Sequence, residues 1–157
     1  MKIALAADHA GFDLKEKIRQ HLAGRGIAVD DLGTHSRESV DYPDYARVVG
    51  EEVARKRADC GILVCGTGIG MAIAANKMRG IRAANVRNEA EAQLSREHND
   101  ANVLTVGGRL LDESSALSIV DRWLSTAFTG GHHQRRVDKI SQLESPEMPL
   151  HRDRTGT

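Results

Sequence analysis

The chain has 157 residues, room for one domain with a full-sized core, and its 22 basic side chains balance 22 acidic ones. That balance excludes a bulk field for nucleic acid or an anionic membrane, so any anion has to be held by a local cluster. One Trp, two Tyr and two Phe give little base-stacking surface, and Cys60 and Cys65 make neither a disulfide framework nor a zinc pair.

Met1-Lys2 leads into only five apolar residues before Asp8, too few for a secretory signal or a membrane span. A reduced, soluble, cytoplasmic setting is therefore expected. Lys2 to Ala7 reads as a buried strand, followed at once by Asp8-His9-Ala10-Gly11. Leu14, Ile18 and Leu22 then mark the apolar stripe of a helix that stops at Gly24 to Gly26. Ile27 to Leu32 is a second strand. Gly33 to Asp44 is a polar loop, and Pro43 suits the first turn of a helix whose stripe is Tyr45, Val49 and Val53.

The central stretch is Cys60 to Lys77, CGILVCGTGIGMAIAANK. Ile62-Leu63-Val64 has the β-branched, apolar character of a strand buried on both faces. A loop with glycine at 66, 68 and 70 follows, and helix-forming Met71 to Ala75 comes after it. A glycine loop between a strand and a helix belongs at the carboxyl end of a parallel strand, where open α/β sheets bind ligands. Its N–H groups and the following helix dipole make an anion site, and Cys65 faces that site from the last strand position, where a thiolate is favoured. The G-x-G-x-G spacing is neither a Walker A motif nor the dinucleotide fingerprint.

Ile81 to Val86 is a fourth strand, and a polar helix from about Asn88 ends in Glu97-His98-Asn99-Asp100. Asn102 to Val106 is a fifth strand, closed by Gly107-Gly108-Arg109. Ile119, Val120, Trp123, Leu124 and Ala127 mark an amphipathic helix. After Gly130-Gly131 a last helix, about 132–144, is expected to bury Val137 and Ile140 and to turn a basic face outward. Five strands alternating with helices define an α/β, three-layer α/β/α sandwich, Rossmann-like, on a five-stranded parallel sheet. Residues 1–144 form a single domain on this reading, and the composition of 145–157 predicts a disordered tail.

Asp8, His9, the Cys65–Gly70 loop and Arg109 all follow carboxyl strand ends, which places them on one rim of the sheet. His98 and Asn99 precede a strand and belong to the opposite rim or flank, so another chain must bring them to any shared chemistry. Each feature also has a plainer reading. The loop can be a tight turn, Cys65 a small core residue and Asp8 a turn former. His98 can be a favourable cation at a helix end, and His132 with Arg136 a solvated basic face.

In combination the chain resembles the ribose-5-phosphate isomerase B family, which also contains galactose-6-phosphate and allose-6-phosphate isomerases. The resemblance covers roughly residues 1–144. It rests on DHAG after the first strand, DYPDYA at 41–46, CGTGIGMAIAANK at 65–77, GIRAA at 80–84, AQLSREHNDANVL at 92–104 and GGHHQRRV at 130–137.

The resemblance implies an aldose–ketose isomerase that moves a proton between C1 and C2 of a sugar phosphate through an enediolate, with no metal or organic cofactor. Cys65 matches the family's base. Another branch uses a Glu at the position aligned with Met71, which cannot take a proton. Thr67 would serve the O1 and O2 oxygens, and the N–H groups of Gly66, Gly68, Ile69 and Gly70 would hold the enediolate. His98 aligns with the group that opens the furanose ring, assisted by Asp8. Tyr42 and Asn99 would bind hydroxyls, and His9, Arg109, Arg136 and His132 the phosphate, His132 standing where many relatives have Arg. The resemblance further implies that His98, Asn99 and Arg109 complete a neighbouring subunit's site, making a homodimer the minimum unit, often paired into a tetramer. Four- or six-carbon sugar phosphates, and a non-catalytic phosphosugar-binding subunit, are the alternatives. A flavodoxin-like nucleotide module lacks both the glycine fingerprints and the aromatics.

Overall fold

A computed structural model describes residues 1–145 of the chain. Five parallel strands, β1 (Lys2–Ala7), β2 (Ala28–Asp31), β3 (Cys60–Cys65), β4 (Ala83–Asn85) and β5 (Val103–Gly107), form one sheet in the order β2-β1-β3-β5-β4. Six helices join and flank them: α1 (Phe12–Gly24), α2 (Tyr42–Ala54), α3 (Ile69–Ala75), α4 (Glu89–Asn99), α5 (Glu113–Ser125) and α6 (His132–Gln142). Period-two alternation sorts the strand side chains into two cores. Ile3, Leu5, Ile62 and Val64 pack with Leu14, Ile18, Ile119 and Trp123 of α1 and α5. Ala4, Ala6, Leu63 and Cys65 pack with Val49, Val53 and Met71 of α2 and α3. The three-layer α/β/α architecture is the expected one.

The chain leaves β1 toward β2 on one side and returns to β3 on the other, so the switch point lies between the carboxyl ends of β1 and β3. Both strand ends are tightly held. Ala7 accepts from Thr34 N–H at 2.7 Å and donates to the Gly33 carbonyl at 2.7 Å, and Asp8 N–H donates to the Val64 carbonyl at 3.2 Å. Beneath them Lys15, fully buried, places Nζ 2.8 Å from both carboxylate oxygens of Asp31, which also accepts the Gly33 N–H at 3.0 Å. A buried ammonium needs such a partner. The pair anchors the residues that pin the end of β1.

Several expected boundaries shift. The helix after the glycine loop begins at Ile69 rather than Met71, because Gly68 at φ +77° turns the chain straight into it. The fourth strand shortens from 81–86 to Ala83–Asn85, since it is an edge with one pairing partner. Ala127 lies past the end of α5 and is exposed. In α6 Val137 is buried but Ile140 is not, being 39% exposed, and the helix stops at Gln142. Apart from Ser145, the predicted tail lies outside the described residues. Among the described residues no helix is long and apolar enough to cross a membrane.

A Cβ at Gly11 would overlap the Val64 carbonyl oxygen and stand 2.9 Å from Cys65 N, so α1 can start this close to β3 only without a side chain. Gly11→Ala is expected to lower the urea midpoint by an amount equivalent to about 2 kcal/mol with the m-value unchanged, because backbone cannot yield as a side chain can. An unshifted midpoint would show that the contact relaxes freely.

Candidate active site

The site is built around Cys65. Its side chain is on the α2/α3 face at the end of β3, 5% exposed, and the Gly68 N–H donates to Sγ at 3.1 Å. The loop that supplies this donor cannot be rebuilt with larger residues. Gly68 has φ +77°, and a Cβ there would overlap Asn85 Oδ1 and reach 3.0 Å from the Val106 carbonyl carbon. A Cβ at Gly70 would fall 2.7 Å from the Tyr42 ring, which covers the loop from the first turn of α2. Thr67 is exposed, its Oγ1 accepting the Ile69 N–H at 3.3 Å. The N–H groups of Gly66, Thr67, Gly70 and Met71 find no protein acceptor among the described residues, whereas those expected of Gly68 and Ile69 are taken up by Cys65 Sγ and Thr67 Oγ1. Met71 itself is fully buried in the core, away from any site chemistry.

Three further residues join this rim. Asp8, 6% exposed, uses Oδ1 to accept the Gly11 N–H at 3.0 Å, so it shapes its turn and keeps Oδ2 for other work. His9 accepts the Val40 N–H on Nδ1 at 3.2 Å. That contact requires Nδ1 to be without a proton, so the ring is held with Nε2–H as its donor. Arg109 donates its main-chain N–H to the Gly66 carbonyl at 3.0 Å, and its Nη1 lies 3.3 Å from where a Gly66 Cβ would be. Arg109 thus stands on the glycine loop of its own chain, because it lies just past the strand end that pairs with Cys65.

The remaining candidates form a second group. His98 and Asn99 end α4, whose last turn Arg82 grips through the Asn99 and Asp100 carbonyls at 3.0 Å each. Thr129 ties the start of α6 to that turn, donating N–H at 3.2 Å and Oγ1 at 2.7 Å to the Glu97 carbonyl. His133 thereby stacks on His98 with ring centroids 4.2 Å apart, and the His132 ring tilts against it at 3.9 Å. His132 and Arg136 are exposed beside them. His133 was missed in the sequence, because only the packing of α6 on α4 reveals it. Partial burial, then His132, His98 and Arg136, push the His133 imidazole below its usual range, with Glu97 opposing. This group precedes β5 and the Cys65 group follows it, so about 16 Å of strand at roughly 3.3 Å per residue separates the two.

No cluster of His, Cys, Asp and Glu among the described residues has the arrangement of a metal site. The fold and the first group define an α/β protein with a thiol, unpaired loop N–H groups and Arg109 gathered at the carboxyl ends of β1, β3 and β5. A family model described as Ribose/Galactose Isomerase matches residues 3–140, and the chain belongs to that family. Ribose-5-phosphate isomerase B of Escherichia coli (strain K12) is 51% identical over 143 residues, 91% of this chain and 96% of that protein. The structure of Clostridium thermocellum ribose-5-phosphate isomerase B matches with TM-score 0.91 and 51% identity, covering 92% of this chain and 97% of that one. The Mycoplasma genitalium ribose-5-phosphate isomerase B structure, which holds ribulose-5-phosphate, matches with TM-score 0.88 and 44% identity, covering 91% and 95%.

Cys60 supplies an internal control for Cys65. Burial pushes its thiol up to about 12, so at pH 8 it stays protonated and unreactive. Iodoacetamide at pH 8 is expected to modify the native protein at Cys65 only, read by peptide mass, and both cysteines after unfolding. Native modification of Cys60 would show that its side of β3 opens to solvent.

Proposed function

We propose that this chain is an aldose–ketose isomerase that interconverts ribose 5-phosphate and ribulose 5-phosphate through an enediolate. The observation that carries the reading is Cys65 Sγ beneath the Gly68 N–H, in a loop that also offers the free N–H groups of Thr67, Gly70 and Met71. Membership of the isomerase family and the ribulose-5-phosphate held by the Mycoplasma genitalium protein support the substrate class.

The chemistry follows from the side chains. The Cys65 thiolate takes the proton from C2 of the open-chain aldose, and the electron pair moves onto the C1 carbonyl oxygen to give the enediolate. Free loop N–H groups hold the developing charge, where donors fixed in advance cost no reorganisation. The thiol then returns the proton to C1, while Thr67 Oγ1 relays the proton between O1 and O2. His98 opens the furanose ring by protonating its ring oxygen, with Asp8 accepting from the adjacent hydroxyl. Tyr42 and Asn99 bind hydroxyls, and His9, Arg109, His132 and Arg136 hold the phosphate. Arginine suits that task because its fork donates two parallel hydrogen bonds.

This division of labour needs more than one chain. Cys65 and His98 lie at opposite ends of β5 in one subunit, so the working site takes His98, Asn99, His132 and Arg136 from a second copy. A groove of about 590 Å³ beside Asn99, lined by Met78, Ile81, Ile140 and Leu143, gives apolar surface for such an association. A homodimer is the smallest unit that satisfies this, in the cytoplasm, with a small sugar phosphate as its partner and no metal or organic cofactor required.

Cys65→Ala is expected to lower kcat by about 10²- to 10⁴-fold, the usual worth of a positioned base, and to abolish exchange of the substrate C2 proton in D₂O. Its urea midpoint and sedimentation are expected to stay near wild type. Turnover close to wild type would make Cys65 a core residue and the base another group. The shared site has its own test. Mixing inactive Cys65→Ala and His98→Ala proteins, then unfolding and refolding them together, is expected to restore activity, since a mixed dimer contains one site with both residues intact. A fully active monomer by sedimentation would sink the shared site.

A further inference from the structure

We propose that His133 is a positioning residue for His98, the flat surface against which the ring-opening imidazole is held. This rests on the isomerase reading above and adds a residue to it. The His98 and His133 rings are stacked with centroids 4.2 Å apart and planes within 13°. The His132 ring lies against His133 as well, with centroids 3.9 Å apart and planes at 40°. His133 is thus the middle ring of three, half-buried between exposed His132 and the end of α4. Its backbone is fixed as well: the His133 N–H donates to the Gly130 carbonyl at 3.0 Å, and Thr129 bonds the Glu97 carbonyl, one residue before His98.

A histidine at a helix C-terminus has several rotamers open to solvent, and a proton donor has to meet one ring oxygen from one direction. Stacking on a fixed ring removes that freedom. The groups facing His133 are His98 from α4, His132 and Arg136 from α6, and Glu97 from α4. Three of the four are cationic or become so on protonation, and partial burial together with these three pushes the His133 imidazole below its usual range. The role therefore asks for a flat ring at position 133 and not for an acid, a base or a phosphate ligand.

The test compares His133→Phe with His133→Ala, assayed from ribose 5-phosphate. Phenylalanine keeps the stack and is expected to retain near wild-type kcat and KM. Alanine removes it and is expected to lower kcat about three- to tenfold with KM little changed, the range in which aromatic pairing acts. In a His98→Asn background the His133→Ala change is expected to have no further effect, because its action runs through His98. Independently of activity, the His98 ring protons in the ¹H spectrum are expected to lose their ring-current shift in His133→Ala and to keep one in His133→Phe. A KM rise shared by both variants would make His133 a phosphate ligand and overturn the proposal, as would equal loss of kcat in both or an unmoved His98 resonance. An inactive wild type with the ring-current shift present would instead fault the isomerase reading and leave the stack standing.

Discussion

The seam between β3 and β5 is the constraint on which the rest depends. At its carboxyl end the Gly108 N–H donates to the Cys65 carbonyl at 2.8 Å, and the Arg109 N–H to the Gly66 carbonyl at 3.0 Å. Thr105 Oγ1, fully buried, donates to the Gly68 carbonyl at 2.9 Å. The fit is close enough that a Cβ at Gly107 would stand 2.8 Å from the Thr67 backbone. Buried carbonyls need such partners, and here the partners come from one neighbouring strand. The loop therefore inherits the rigidity of the sheet. Its Gly68 donor sits on the Cys65 sulfur, and the Thr67, Gly70 and Met71 N–H groups have no protein acceptor among the described residues.

The same seam explains why the candidate side chains fall into two groups. A strand has two ends, and β5 carries one group at each. Arg109 follows its carboxyl end and lies on the loop, whereas His98 and Asn99 precede its amino end with the α6 histidines stitched beside them. Bending cannot close a gap the length of a paired strand. Each group is also rigid for its own reasons, the first through β-sheet hydrogen bonds and the second through the Arg82 and Thr129 contacts to the end of α4. Two rigid halves that cannot meet within one subunit are well suited to meeting across an interface, since neither pays an ordering cost on assembly.

Much of this was legible in the residues. The run Ile62-Leu63-Val64, the glycines at 66, 68 and 70 and the polar residues after β1 and β5 set the rim, because parallel strands place their following loops together. The stripes Leu14-Ile18-Leu22 and Tyr45-Val49-Val53 located helices, and all but Tyr45, which is only partly buried, lie in the core. What could not be read depends on tertiary packing. Ile140 has the right spacing for a core residue, but it stays 39% exposed at the groove it lines with Met78, Ile81 and Leu143. Edge position trimmed β4. The His98–His133 stack and the Val40 donor on His9 join residues 35 and 31 positions apart, and no periodicity links them.

The two cysteines show how far residue type falls short of role. Cys60 and Cys65 bracket one strand, and the odd separation sends their side chains to opposite faces of the sheet. Cys60 lies among Ile3, Ile62 and Leu104 in the α1/α5 core, where burial penalises a thiolate and no donor compensates, so its thiol is pushed up to about 12. Cys65 is no more exposed, yet it ends its strand, and the chain that follows turns a main-chain N–H back onto the sulfur. Burial alone does not separate the two. The difference is that one thiol lies in a core where the Arg96 charge only partly offsets burial, and the other has a main-chain donor turned onto its sulfur.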